Sequence, residues 1–102
     1  MKLTGKTKEA FEKWFYKEID QIGGEGLDDV TDLHLNALII EFFDSVGYTI
    51  DRDSYNRKMT IVDWNDGNET HYTIDCEYLD PFTDWWDKAI EKANDIYNNK
   101  LA

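Results

Sequence analysis

The sequence predicts an α+β fold of order ααβββα: a three-stranded antiparallel meander with helices packed on one face. Three observations carry this. Apolar residues recur at helical spacing near both ends and through residues 32–46. The period changes to two between Tyr48 and Tyr78. Within that stretch stands Asp66-Gly67, a two-residue hairpin signal, because a type I′ turn needs positive φ at both central positions.

The first helix is predicted from about Lys6 to Ile22. Phe11, Trp14, Phe15, Ile19 and Ile22 form one apolar stripe. Thr4 or Thr7 suits its cap, and Gly23-Gly24 ends it. The stretch GGEGLDDV (23–30) has no periodicity and reads as a loop. The second helix is predicted from about Asp32 to Val46. Thr31 is its N-cap, Asp32 favours its first turn and Gly47 its C-cap. LNALIIEFFDSV is apolar on most sides, which predicts the central, most buried helix.

Strands are predicted at about 48–52, 57–64 and 69–78. A turn at Asp66-Gly67 places Asn65 opposite Asn68. It then pairs Ile61 with Tyr72 and Met59 with Ile74 on one face. The other face pairs Val62 with His71, Thr60 with Thr73 and Lys58 with Asp75. A turn around Ser54-Tyr55 would pair Ile50 with Met59 and Asp51 with Lys58, setting Lys58 between two aspartates. The outer face would carry Val62, Trp64, His71, Thr73, Asp75 and Glu77. The third helix is predicted from about Phe82 to Asn99. Asp80 or Thr83 caps it, Pro81 suits its first turn, and Trp86, Ala89, Ile90, Ala93 and Tyr97 form its stripe. There is no repeat, low-complexity tract or linker, so residues 1–102 read as one domain.

Charge is the most informative feature. The chain has 22 acids against 11 bases, a net charge of −11. Direct binding to nucleic acid or an anionic membrane is disfavoured, since both need a basic face. The bases are segregated. Five lysines fall in the first 17 residues, whereas Glu18 to Asp51 holds nine acids and no base. Met59 to Asp87 holds eight acids and again no base. Asp75 and Glu77 on one strand would stand about 6–7 Å apart, comparable to successive phosphates. An acidic face of this kind serves solubility. The alternative is a decoy for nucleic acid on a basic protein.

Catalytic patterns are weak. Asp75-Cys76-Glu77 has the carboxylates of a metal-dependent nuclease strand, but Leu79 stands where the lysine is needed. Read as a calcium loop from Asp63, DWNDGN places Gly67 at the fifth position instead of the sixth. His34, His71 and Cys76 are too few for a transition-metal site, and Cys76 and His71 point to opposite faces. GGEG lacks the strand and lysine of a phosphate loop. The sequence predicts no cofactor, no metal and no catalytic residue. Trp14 and Trp86 fall on apolar stripes and are expected in the core. Trp64 is expected on the outer face, either as an interface anchor or beneath a terminal segment that covers that face, and Trp85 falls between core and surface.

A single cysteine fits a reducing compartment. The segment MKLTGKTKEAFEKW lacks the apolar stretch of a secretory signal, and the ALII run is too short to span a bilayer. The expected location is cytoplasmic.

MKLTGKTKEAFEKW, LIIEFFDSVGY and AIEKANDIYNNK resemble segments of small uncharacterised proteins of tailed bacteriophages and prophages, notably of Bacteroidetes hosts. The likeness covers the N-terminal, central and C-terminal helices. It implies expression in an infected bacterium and brings no activity with it. The expected function is therefore a non-enzymatic, phage-type protein that binds, and by analogy inhibits, a host protein with a basic surface, such as a nucleic-acid-binding protein. Asp63, Trp64, Asp66, Glu69, His71, Asp75, Glu77 and Asp80 are the expected contact residues. The alternatives are self-association through the Val62–Trp64–His71 face as a homodimer, and a metal-assisted enzyme.

Overall fold

A computed structural model describes residues 2–19, 30–65, 67, 69–76 and 82–102, excluding the side chains of Ile19, Phe82 and Thr83. Among them are helices α1 (Gly5–Trp14), α2 (Asp32–Ser45) and α3 (Phe82–Leu101), and strands β1 (Tyr48–Asp53), β2 (Lys58–Asp63) and β3 (Thr70–Asp75). The order is ααβββα, and the sheet is antiparallel in the order β1-β2-β3.

The first helix changes character where a single helix to Ile22 was expected. After Trp14 the chain makes one π-helical turn, Phe15–Ile19. Residues 20–29, with the expected Gly23-Gly24 stop, lie outside the described residues. The start of α1 is capped from a distance. Thr4 occupies the N-cap position, but its side chain makes no cap bond. Instead, the Thr7 N–H donates to Asn98 Oδ1 at 2.8 Å and the Thr4 N–H to Asn94 Oδ1 at 3.0 Å. Asn94 and Asn98 stand one helical turn apart on α3, so one face of α3 satisfies donors that α1 leaves open.

In α2, Thr31 accepts from the His34 N–H, as a cap should. The helix buries Leu38, Ile39, Phe42 and Phe43 but leaves Leu33 and Ala37 exposed, so it is not enclosed on all sides. Gly47 follows with φ +93°, and its N–H closes onto Asp44 O.

The β2–β3 register matches the one set by Asp66-Gly67: Ile61 pairs with Tyr72, Met59 with Ile74 and Lys58 with Asp75. The β1–β2 register differs by two residues, with Ile50 opposite Ile61 and Asp53 opposite Lys58. The turn is longer than expected because residues 54–57 contain no glycine for a two-residue turn. Arg57 takes the left-handed conformation, and Asp53 accepts from the Asn56 backbone N–H and side-chain amide. A shift of two preserves the faces, and Lys58 still stands between two aspartates, Asp53 and Asp75.

The core lies between the helices and the inner sheet face. Phe11, Phe42, Phe43, Tyr48, Met59, Ile61, Trp85 and Ile90 are its large members. Edge-to-face rings link the layers: Phe11–Phe42 at 5.6 Å, Phe43–Tyr48 at 6.3 Å and Tyr48–Tyr97 at 5.6 Å. Two tryptophans depart from expectation. Trp85, which the sequence left between core and surface, is fully buried, whereas Trp86, like Trp14, was expected in the core and is only partly buried against it. Arg57 covers the Trp85 ring at 5.2 Å, from the β1–β2 turn. Trp86 instead borders a notch beside Leu33, Ala37 and Ile40 of α2.

Candidate functional site

Alternation along the strands gives the outer face three rungs. Thr49, Val62 and His71 form one, Asp51, Thr60 and Thr73 the next, and Asp53, Lys58 and Asp75 the third. Trp64 follows β2 and Glu69 precedes β3. The face thus carries four carboxylates, on Asp51, Asp53, Glu69 and Asp75, against one lysine, Lys58. Asp51 and Asp53 stand about 6–7 Å apart along β1, and β1 and β3 lie about 9–10 Å apart across the sheet. Hydrogen bonds from Asn56, first its side chain and then its backbone N–H, hold the Asp53 carboxyl below the usual carboxylate range.

Trp64 is half-exposed and fixed. Its N–H donates to Gly47 O at 3.0 Å, and its indole Nε1–H donates to Thr49 Oγ1 at 2.9 Å. The indole therefore lies over the first rung. Val62 in that rung is buried although it points away from the core. His71 is exposed and contacts Glu69 at 3.0 Å.

The expected contact residues separate on this frame. Trp64, Glu69, His71 and Asp75 are exposed on the outer face or its border. Asp66, Glu77 and Asp80 lie outside the described residues. Asp63 departs from expectation: its parity is inward, with Met59 and Ile61, and it is buried. Its Oδ1 accepts from the Asn65 N–H and from Asn65 Nδ2, each at 2.9 Å. That clamp holds the Asn65 side chain so close to Gly47 that a Cβ there would meet Asn65 Oδ1 at 2.7 Å. Asp63 thus shapes the turn that carries Trp64. Asp51 was not among the expected contacts, although the alternation of Thr49 and Asp51 with Tyr48 and Ile50 marks it as outward.

Cys76 is buried and inward, opposite in facing to His71. Burial pushes its thiol above the ordinary range, and a backbone hydrogen bond from Met59 only partly offsets this. Stability present below the unfolded thiol pKa of about 8.5 is accordingly lost as pH rises above it. Iodoacetamide is expected to label Cys76 in urea and to leave it unlabelled in native protein near neutral pH. Equal rates in both would contradict the burial.

A further concavity lies elsewhere. It is a cleft of about 660 Å³ beside the π turn, lined by Trp14, Glu18, Glu41, Asp44, Ser45 and Val46. It adds three carboxylates to the acidic surface, and its Ser45 hydroxyl donates to the Phe42 carbonyl. Among the described residues no three of His, Cys, Asp and Glu come together as metal ligands. No described helix is long and apolar enough to cross a membrane. No protein-family model, curated protein or solved structure matches this chain.

Proposed function

We propose that this protein is a non-enzymatic binding module whose outer sheet face receives a basic protein surface. The observation that carries this reading is the face itself. Asp51, Asp53, Glu69 and Asp75 present carboxylates from two edge strands of a rigid sheet, with Trp64 held beside them by two hydrogen bonds. Fixed charges of one sign steer an oppositely charged partner, and a half-exposed aromatic supplies desolvated contact area. The spacing of the carboxylates approximates that of phosphates, so the basic groove of a nucleic-acid-binding protein is the partner class that fits. The phage-protein resemblance supports a host protein in that role.

A tagged protein exposed to bacterial lysate is expected to capture a basic partner at low salt, to release it at high salt, and to lose it to competing DNA. The triple change Asp51→Asn, Asp75→Asn and Trp64→Ala is expected to weaken that binding by at least roughly tenfold while leaving the fold intact. Capture that ignores both salt and the triple change would remove the outer face from the explanation.

A further inference from the structure

Trp64 directs its indole Nε1–H to Thr49 Oγ1 at 2.9 Å and its backbone N–H to Gly47 O at 3.0 Å. An indole has no other donor and no acceptor, so what remains for a partner is the face of the ring. The residue is 51% exposed. The ring lies over the rung of Thr49 and Val62, and Val62 is buried although it points away from the core. One side of the indole is therefore against the sheet and the other is open. Two hydrogen bonds hold that open side in place, and the face of an aromatic ring carries the negative lobe of its quadrupole.

A carboxylate stands beside the ring. Asp51 is the next outward residue after Thr49 on β1, about 6–7 Å further along the strand, and it is exposed. The β2–β3 pairing, counted one step beyond the strands, sets Glu69 across from Trp64 and adds a second negative charge on the far side. The first rung carries no lysine or arginine of its own, since the lysine of this face, Lys58, lies in the third.

We propose that this end of the outer face is an arginine site, where a guanidinium of the partner lies flat on the open side of Trp64 and donates in its own plane to the Asp51 carboxylate. The two cations that a basic protein can present differ here. A lysine ammonium is a compact, strongly hydrated point charge, and it uses a flat ring poorly. A guanidinium is planar and weakly hydrated. It stacks on an aromatic face while its N–H fork stays free to meet a carboxylate with two parallel bonds. A fixed ring with a carboxylate one rung away matches that pair of demands. The inference rests on the basic-partner reading above and narrows it: the partner presents arginine, not lysine, to the Trp64 end of the sheet.

Calorimetric titration with hexa-arginine and with hexalysine, at low salt and a pH of about 8 where histidine is neutral, separates the two cations at equal charge. Hexa-arginine is expected to bind roughly fivefold tighter than hexalysine. Trp64→Leu keeps an apolar cover on Val62 but removes the flat ring, and should bring the two peptides to about the same Kd. Asp51→Asn is nearly isosteric and exposed, so it keeps the fold, as circular dichroism checks, and should weaken hexa-arginine more than hexalysine. Tyr16→Ala, at an exposed aromatic on the π turn, should leave the preference as it was. Equal binding of both peptides by the unaltered chain overturns the arginine site and leaves the basic-partner reading standing. A preference that survives both Trp64→Leu and Asp51→Asn overturns it too. Binding of neither peptide overturns the basic-partner reading and this inference with it.

Discussion

Trp85→Ala is expected to destabilise the protein by about 3–5 kcal/mol, the largest effect of any tryptophan replacement. The ring is fully buried and has Arg57 over its face, so truncation opens a cavity beneath the β1–β2 turn and removes the cation–π contact. Trp86→Ala should cost less, about 1–2 kcal/mol, because half-buried Trp86 already borders a notch. Trp64→Ala should cost about 1 kcal/mol or less, since its ring is half-exposed. Urea denaturation followed by far-ultraviolet circular dichroism ranks the three. A larger loss at Trp86 than at Trp85 would place the core on the other side of α3.

Gly47→Ala is expected to cost about 2–4 kcal/mol, from two separable sources. The backbone holds φ +93°, which an L side chain rarely adopts, and the new Cβ would meet Asn65 Oδ1 at 2.7 Å. Asn65 cannot easily withdraw, because Asp63 holds both its backbone N–H and its amide. Combining Gly47→Ala with Asn65→Gly should therefore cost less than the two single changes summed. The same strain displaces Gly47 O, which accepts from Trp64, so partner capture should fall along with stability. A loss below about 0.5 kcal/mol for Gly47→Ala would show that the turn relaxes freely.

Legibility in the sequence followed the range of the interaction. Asp66-Gly67 and the alternation around it were enough to place Ile61 against Tyr72, because a two-residue turn counts register outward from itself. Ser54-Tyr55 offered no such count. The longer turn depends on Asp53 gripping Asn56 and on a left-handed Arg57, neither of which periodicity reveals. Asp63 was misplaced among the surface acids because its charge outweighed its parity, and parity was the better guide. Asp51 was missed for the complementary reason: β1 was left out of the outer face although its alternation was visible.

By itself the sequence determined the α+β order, the faces of the strands, the β2–β3 register and an acidic chain with segregated bases. These are local: they rest on side-chain period, turn chemistry and composition, which neighbouring residues set together. Only the tertiary structure decided which tryptophan fills the core, what caps α1 and which carboxylates share a surface. Asn94 and Asn98 reach α1 across sequence separations of 90 and 91 residues, and Arg57 shields Trp85 from a turn on another layer. Burial and capping of this kind depend on the side chains that packing brings together, and no window along the chain contains both partners.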